Sequence, residues 1–242
     1  MRVGGPRSFL DSQEYSELRD VTLELLGRRP LAKNYFIGLG RDPAPIIAFL
    51  QNLGDEIAMT FPASGKGRLY DDTPELRAYF DDYCRRLIPR SVIEGDRDIV
   101  LVDQTRAGRE REVNGSPGTL ALVRPIMEGS LRRLGFKGKV IRAAFSSAEQ
   151  MPEVEHIDIT SYREVQQFAW EHEDQVSEYP WHAPGFESLD AWLASRRPQY
   201  DQYKDALRLR MTADPDLDRK LEAMGAFGEP VLKRVEGAGD RP

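Results

Sequence analysis

The sequence predicts an α/β protein: a mostly parallel sheet flanked by helices, followed by an all-helical C-terminal cap. Three observations carry this. Short β-branched apolar runs without polar alternation, such as Ile99-Val-Leu-Val, mark strands buried on both faces. Amphipathic helical patterns separate those runs, as parallel strands require. Beyond about Ser146 the strand signals stop and only charged, aromatic helical patterns follow.

Helix one opens on a capping-box pair, Asp11 with Glu14, and carries Tyr15, Leu18, Val21 and Leu25 on one face. Strand one is Tyr35 to Gly38. Its helix starts among Pro43 and Pro45, where a missing amide costs nothing, runs through Ile46 to Leu53 and closes at Gly54. Strand two is Ile57 to Phe61. Thr73-Pro74 starts a helix with Leu76, Phe80, Tyr83 and Leu87 on one side. Strand three is Ile99 to Val102. Ser116-Pro117 leads into Leu120, Val123, Met127, Leu131 and Leu134 before Gly135, and strand four is Val140 to Phe145.

In the C-terminal part, Ser161 with Glu164 caps a helix bearing Tyr162, Val165, Ala169 and His172. Ser188 precedes Leu189, Trp192 and Leu193. Pro198 begins a helix whose Tyr200, Tyr203, Leu207 and Met211 belong to the core, and Asp214-Pro215 begins another with Leu217, Leu221 and Met224. The organisation read from this order is an α/β domain over residues 1–148, a helical cap or hood over 149–232, and a flexible tail over 233–242. No repeat is present.

With 242 residues the chain can bury a large core. Cys84 stands alone, which excludes a disulfide framework or thiolate metal site within one chain and suits a reducing, cytoplasmic compartment. Nothing near Met1 reads as a signal peptide, and no apolar run approaches the ~20 residues that span a bilayer. A net charge of −6, from 40 acids against 34 bases, argues against a surface built for nucleic-acid phosphates. The preference for Arg over Lys suits bidentate phosphate contacts, although a GC-rich genome produces the same bias.

Two strand ends carry the candidate chemistry. Ile99-Val-Leu-Val runs into Asp103, where the strand is expected to leave the sheet, and then into Gln104-Thr-Arg-Ala-Gly-Arg109. The segment Asn34-Tyr-Phe-Ile-Gly-Leu-Gly-Arg-Asp-Pro-Ala-Pro45 has the same layout. Ligands of open α/β sheets bind at such carboxyl ends. Successive loop amides and a helix start supply converging donors for a phosphate. Gly40 and Gly108 remove a β-carbon that blocks close approach. Arg41, Arg106 and Arg109 each offer a charge-assisted contact, and Asp103 accepts from sugar hydroxyls or a hydrated magnesium.

Ile99-Val-Leu-Val-Asp103 followed by Thr105-Arg-Ala-Gly108 resembles the PRPP-binding loop of type I phosphoribosyltransferases, and Ile37-Gly-Leu-Gly40-Arg41-Asp42 resembles that family's pyrophosphate loop. The resemblance covers about residues 30 to 146. It implies that Asp103 is the catalytic-site acid at the ribose and that Gln104, Thr105, Arg106, Ala107, Gly108 and Arg109 form the substrate loop around the 5-phosphate. It further implies that Gly40 and Arg41 hold pyrophosphate, and that the chain transfers ribosyl phosphate from PRPP or a related phosphorylated pentose, with magnesium, to an unidentified acceptor. Such a transfer needs positioning and leaving-group stabilisation, with no covalent nucleophile.

The chain departs from the family pattern at several points, among them a bulky Arg106 and the lack of the usual paired hydroxyls in the loop. Gln104 stands where the family has its second acid, the loop is one residue shorter, and Arg109 to Gly115 separates it from the next helix. An alternative alignment uses Ser116, Gly118 and Thr119 as the phosphate-binding turn. The competing class is a non-catalytic phosphoribosyltransferase-fold module that binds a phosphorylated small molecule or regulates. Either reading allows a homo-oligomer, with no membrane and no nucleic-acid partner.

Other segments read more plainly. Ser64-Gly-Lys66-Gly-Arg68 is a solvated loop or a cation near pyrophosphate, and it is no Walker loop because Gly67 follows Lys66. His156, His172 and His182 lack metal-ligand spacing, and His172 reads as surface or edge. The Tyr179-Pro-Trp181-His182-Ala-Pro184 stretch packs against helices or stacks on a planar acceptor. Asp71-Asp72 and Asp81-Asp82 read as a helix-start cluster and a solvated face.

Overall fold

A computed structural model describes residues 10–63, 73–105, 119–146, 153–165, 172–180 and 188–227. In chain order the elements are α1 (Ser12–Arg28), β1 (Asn34–Leu39), α2 (Ala44–Leu53), β2 (Ala58–Phe61), α3 (Pro74–Leu87), α4 (Arg90–Ile93) and β3 (Asp98–Thr105). They continue as α5 (Thr119–Arg133), β4 (Val140–Ser146), β5 (Val154–Asp158), α6 (Glu173–Val176), α7 (Leu189–Ala194), α8 (Gln199–Thr212) and α9 (Pro215–Ala223).

The helix starts follow the side chains that cap them. The Asp11 carboxylate accepts the Gln13 and Glu14 amides at 2.8 Å each, and Glu14 Oε2 accepts the Asp11 amide at 2.8 Å. Thr73 Oγ1 accepts the Leu76 amide at 3.2 Å with Pro74 in the first turn, and Ser188 Oγ accepts the Ala191 amide at 3.1 Å. One cap has a different source from the one expected. The chain is helical at 163–165, and the Glu164 and Val165 amides donate to Glu17 Oε2 of α1 at 2.7 and 3.2 Å.

The five strands of the described residues all run parallel, in the order β2-β1-β3-β4-β5. From β1 the chain builds outward to β2, then returns past β1 to lay down β3, so the direction of winding reverses between β1 and β3. One face carries Phe36, Val100, Val102, Ala143 and Phe145 and packs against α1, α2, α8 and α9. The opposite face carries Tyr35, Ile37, Ile99, Leu101 and Ala144 and packs against α3, α4, α5 and α7. Tyr200 and Tyr203 are fully buried in the first layer, as their helical spacing predicts. α8 and α9 thus share the core of α1 and α2, while α7 packs on the other layer.

Two expectations are corrected. β3 does not leave the sheet at Asp103: Asp103, Gln104 and Thr105 stay in register with Ala144, Phe145 and Ser146, because β4 runs on beside them to Ser146. Nor do helices alone follow Ser146. β5 pairs with β4 from Arg142 opposite Val154 to Ser146 opposite Asp158, extending the sheet past residue 148. Its Val-Glu-His-Ile-Asp sequence carries polar residues because it is an edge strand.

Candidate functional site

The winding reversal opens a crevice at the carboxyl edge, where the two candidate strand ends meet. Gly38 of β1 lies opposite Val102 of β3, so the turn after Leu39 and the end of β3 sit side by side. Gly38 also lets α2 sit close to the strand: a β-carbon there would lie 2.4 Å from Ile47 Cγ1 and 3.2 Å from Pro43 Cγ. Gly40 makes the turn itself, with φ of +72°, a conformation that β-carbons disfavour.

The donors of this turn are largely committed to the fold. The Gly40 amide donates to the Phe61 carbonyl of β2 at 3.0 Å, and the Ala44 amide donates to the Arg41 carbonyl at 3.0 Å. Pro45 has no amide proton. Arg41 Nε donates to Asp42 Oδ1 at 3.0 Å. Gly40 therefore serves the turn, with its own amide committed to β2.

Because β3 continues through Thr105, its last residues alternate between faces. Asp103, half-buried, shares the side of Leu101 and the α3/α5 layer. Gln104, 7 % exposed, shares the side of Val100 and Val102, facing α1 and α2. Asp103 and Gln104 are thus neighbours in sequence on opposite faces, whereas Gln104 is brought together with Asp42, Pro45 and Ile46 of the β1–α2 turn. Thr105 ends β3 opposite Ser146. Arg106, Ala107, Gly108 and Arg109 lie outside the described residues, as do Ser116, Gly118, the 64–68 segment, Asp71, Asp72, Trp181 and His182.

Between these elements lies a cavity of about 10 Å³, roughly the room one water needs. Glu14, Asp42 and Gln104 form its polar wall, and Leu18, Pro45, Ile46 and Val165 its apolar wall. Glu14 is 6 % exposed. Burial pushes its carboxyl above the ordinary value, opposed by the Asp11 amide; the charges of Asp11 and Glu164 add to the rise, and His172 works against it. His172 Nε2 lies 3.8 Å from Glu14 Oε1, which places this half-buried histidine at the crevice rather than on a free surface.

Glu14 is the crevice residue that the sequence reading missed, with His172 beside it. A capping box fully explained Glu14, and only the tertiary position of α1 shows its carboxyl also lining the crevice. Elsewhere, Tyr179 stacks on Trp192 with ring centroids 4.0 Å apart, packing against α7. Asp81 pairs with Arg133 of α5 at 2.6 Å, and Asp82 with Arg86 at 3.6 Å. Among the described residues no group of three or more His, Cys, Asp or Glu side chains is placed to hold a metal, and no helix is long and apolar enough to cross a membrane. The chain matches no protein-family model, no curated protein and no solved structure.

Proposed function

We propose that the carboxyl edge at the β1–β3 junction binds PRPP or a related phosphorylated pentose, and that the chain is a phosphoribosyltransferase-like enzyme that passes the ribosyl phosphate to an acceptor. The observation that carries this reading is the pairing of Gly38 with Val102, which sets the two loop-bearing strand ends beside each other at the point where doubly wound sheets take ligands. In this reading Asp103 meets the ribose. Thr105, Arg106, Ala107, Gly108 and Arg109 hold the sugar phosphate, and Arg41 lies on the pyrophosphate side.

Magnesium fits as an ion that arrives with the substrate, since such ions use one or two carboxylates together with phosphates. Asp103 is the carboxylate at the β3 end. A cytoplasmic setting accords with the buried, unpaired Cys84, and a homo-oligomer is compatible with this reading.

One observation favours a second reading, a non-catalytic binding module of the same fold. Gln104 replaces an acid and is turned to the face opposite Asp103, so these two residues present a single carboxylate. Calorimetric titration with PRPP and magnesium chloride separates the possibilities. Heat of binding, a thermal shift and pyrophosphate release with a nucleobase or amine support the enzyme. Binding without release supports the module, and no binding overturns both. Asp103→Asn is expected to weaken PRPP binding, and unchanged affinity moves the site elsewhere.

A further inference from the structure

The capping box uses one oxygen of the Glu14 carboxylate, Oε2, and leaves Oε1 at the crevice, 3.8 Å from His172 Nε2. A capping box works with Gln as well as with Glu at this position, because only the acceptor oxygen toward the Asp11 amide is used. The structure nevertheless buries an acid here, at 6 % exposure, with Asp11 and Glu164 adding like charge. Burial of a carboxylate opposes folding, and a group kept at such a cost in a crevice is a candidate for function.

What the crevice accepts follows from its size and its lining. The cavity is about the size of one water, so it takes a single small group rather than a phosphate or a ring. Its polar wall consists of two carboxylates and an amide, with no lysine or arginine among the lining residues described. Asp42 is paired with Arg41 Nε at 3.0 Å, so Glu14 is the carboxylate that this wall offers to a ligand. A group that donates a hydrogen bond is held by this carboxylate.

From this we infer that Glu14 is a ligand-binding residue whose Oε1 accepts a hydrogen bond from one hydroxyl of the pentose, seated in the cavity it shares with Asp42 and Gln104. This rests on the phosphorylated-pentose reading above and divides the labour within it. The α1/α2 side of the sheet takes this one hydroxyl, while Asp103 meets the ribose from the other side of the sheet edge. His172, 3.8 Å from the same oxygen, helps keep it ionised and accepting.

The test compares parent, Glu14→Gln and Glu14→Asp proteins by calorimetry, using PRPP with magnesium and inorganic pyrophosphate with magnesium as separate probes. Loss of a hydrogen bond to a charged group is expected to lower PRPP affinity roughly tenfold or more in Glu14→Gln, with a smaller loss in Glu14→Asp. Pyrophosphate affinity should stay unchanged, because that probe carries no sugar hydroxyl. Equal PRPP affinity in parent and Glu14→Gln overturns the inference and leaves the pentose reading standing. A parallel fall for both probes shows a general disturbance of the site and also overturns it. Failure of the parent to bind PRPP overturns the underlying reading and the inference with it. Thermal melts of each variant establish that the folded protein is being titrated.

Discussion

Tyr15 donates its hydroxyl to the Asp214 carboxylate at 2.9 Å, tying α1 to the cap of α9 across 199 residues of chain. Arg19 Nη1 donates to the same Asp214 oxygen at 2.9 Å, while Asp214 Oδ1 accepts the Asp216 amide at 3.0 Å and starts α9. One carboxylate therefore both caps α9 and joins it to α1.

That arrangement predicts an acid-sensitive contribution to stability. Burial raises the Asp214 pKa, but the hydrogen bonds from Arg19, Tyr15 and the Asp216 amide outweigh it, so the carboxyl is held below its ordinary 3.8. A depressed carboxylate pKa stabilises the fold above the unfolded value and loses that contribution as pH falls through the folded value. Urea unfolding from about pH 5 downward should show a steeper acid loss in the parent than in Asp214→Asn. Tyr15→Phe should cost about 1 kcal/mol at neutral pH, the scale of one hydrogen bond. Identical acid limbs in parent and Asp214→Asn would refute the assignment.

Gly38 predicts a packing limit at the floor of the crevice. Its missing β-carbon is what lets Ile47 of α2 lie against β1, so Gly38→Val must push α2 outward and should destabilise by about 1–3 kcal/mol in urea unfolding. Trimming the opposing side chain should recover part of that loss: in a Gly38→Ala background, Ile47→Ala is expected to cost less than it does alone. Strict additivity of the two changes would show that they do not meet.

The parts of the fold that were legible in the sequence are those with local causes. Asp11, Thr73, Ser188 and Asp214 announce their helices because capping chemistry is contained in a few consecutive residues. Strands β1 to β4 show as apolar runs because both of their faces are covered. β5 escaped for two physical reasons. Its residues are those of an edge, and residues 147–153 are too few for the crossover helix that normally separates parallel neighbours. Of the site, the meeting of the β1 turn and the β3 end could be read from their matching layouts. The opposite orientation of Asp103 and Gln104 could not, since it depends on how far β4 accompanies β3. Glu14 and His172 meet there only through the packing of α1.

Cys84 predicts a reactivity test of global opening. The thiol is fully buried in α3, and burial, aided by the Asp81 charge and opposed by Arg133, pushes its pKa well up. Thiolate is the reactive form, so a disulfide reagent should label the native protein only through unfolding. The labelling rate should rise with urea in step with the unfolded fraction, and rapid labelling in buffer alone would contradict the burial of α3 against α5.

Glu14 makes the opposite pH prediction from Asp214. Its pKa is raised, chiefly by burial, so the folded state binds its proton more tightly than the unfolded chain and stability falls as pH rises from about 4.5 through the folded value. Glu14→Gln keeps an acceptor for the Asp11 amide and removes the buried charge. The variant should therefore melt at or above the parent temperature at neutral pH, and the gap should close as the pH drops toward about 4.5, where Glu14 is protonated. His172 Nε2, 3.8 Å away, works against the rise in the Glu14 pKa, so the Glu14 dependence should steepen in a His172→Gln background. A variant less stable than the parent at neutral pH would mean that the cap needs the carboxylate itself, which would remove the reason for assigning that charge to a ligand.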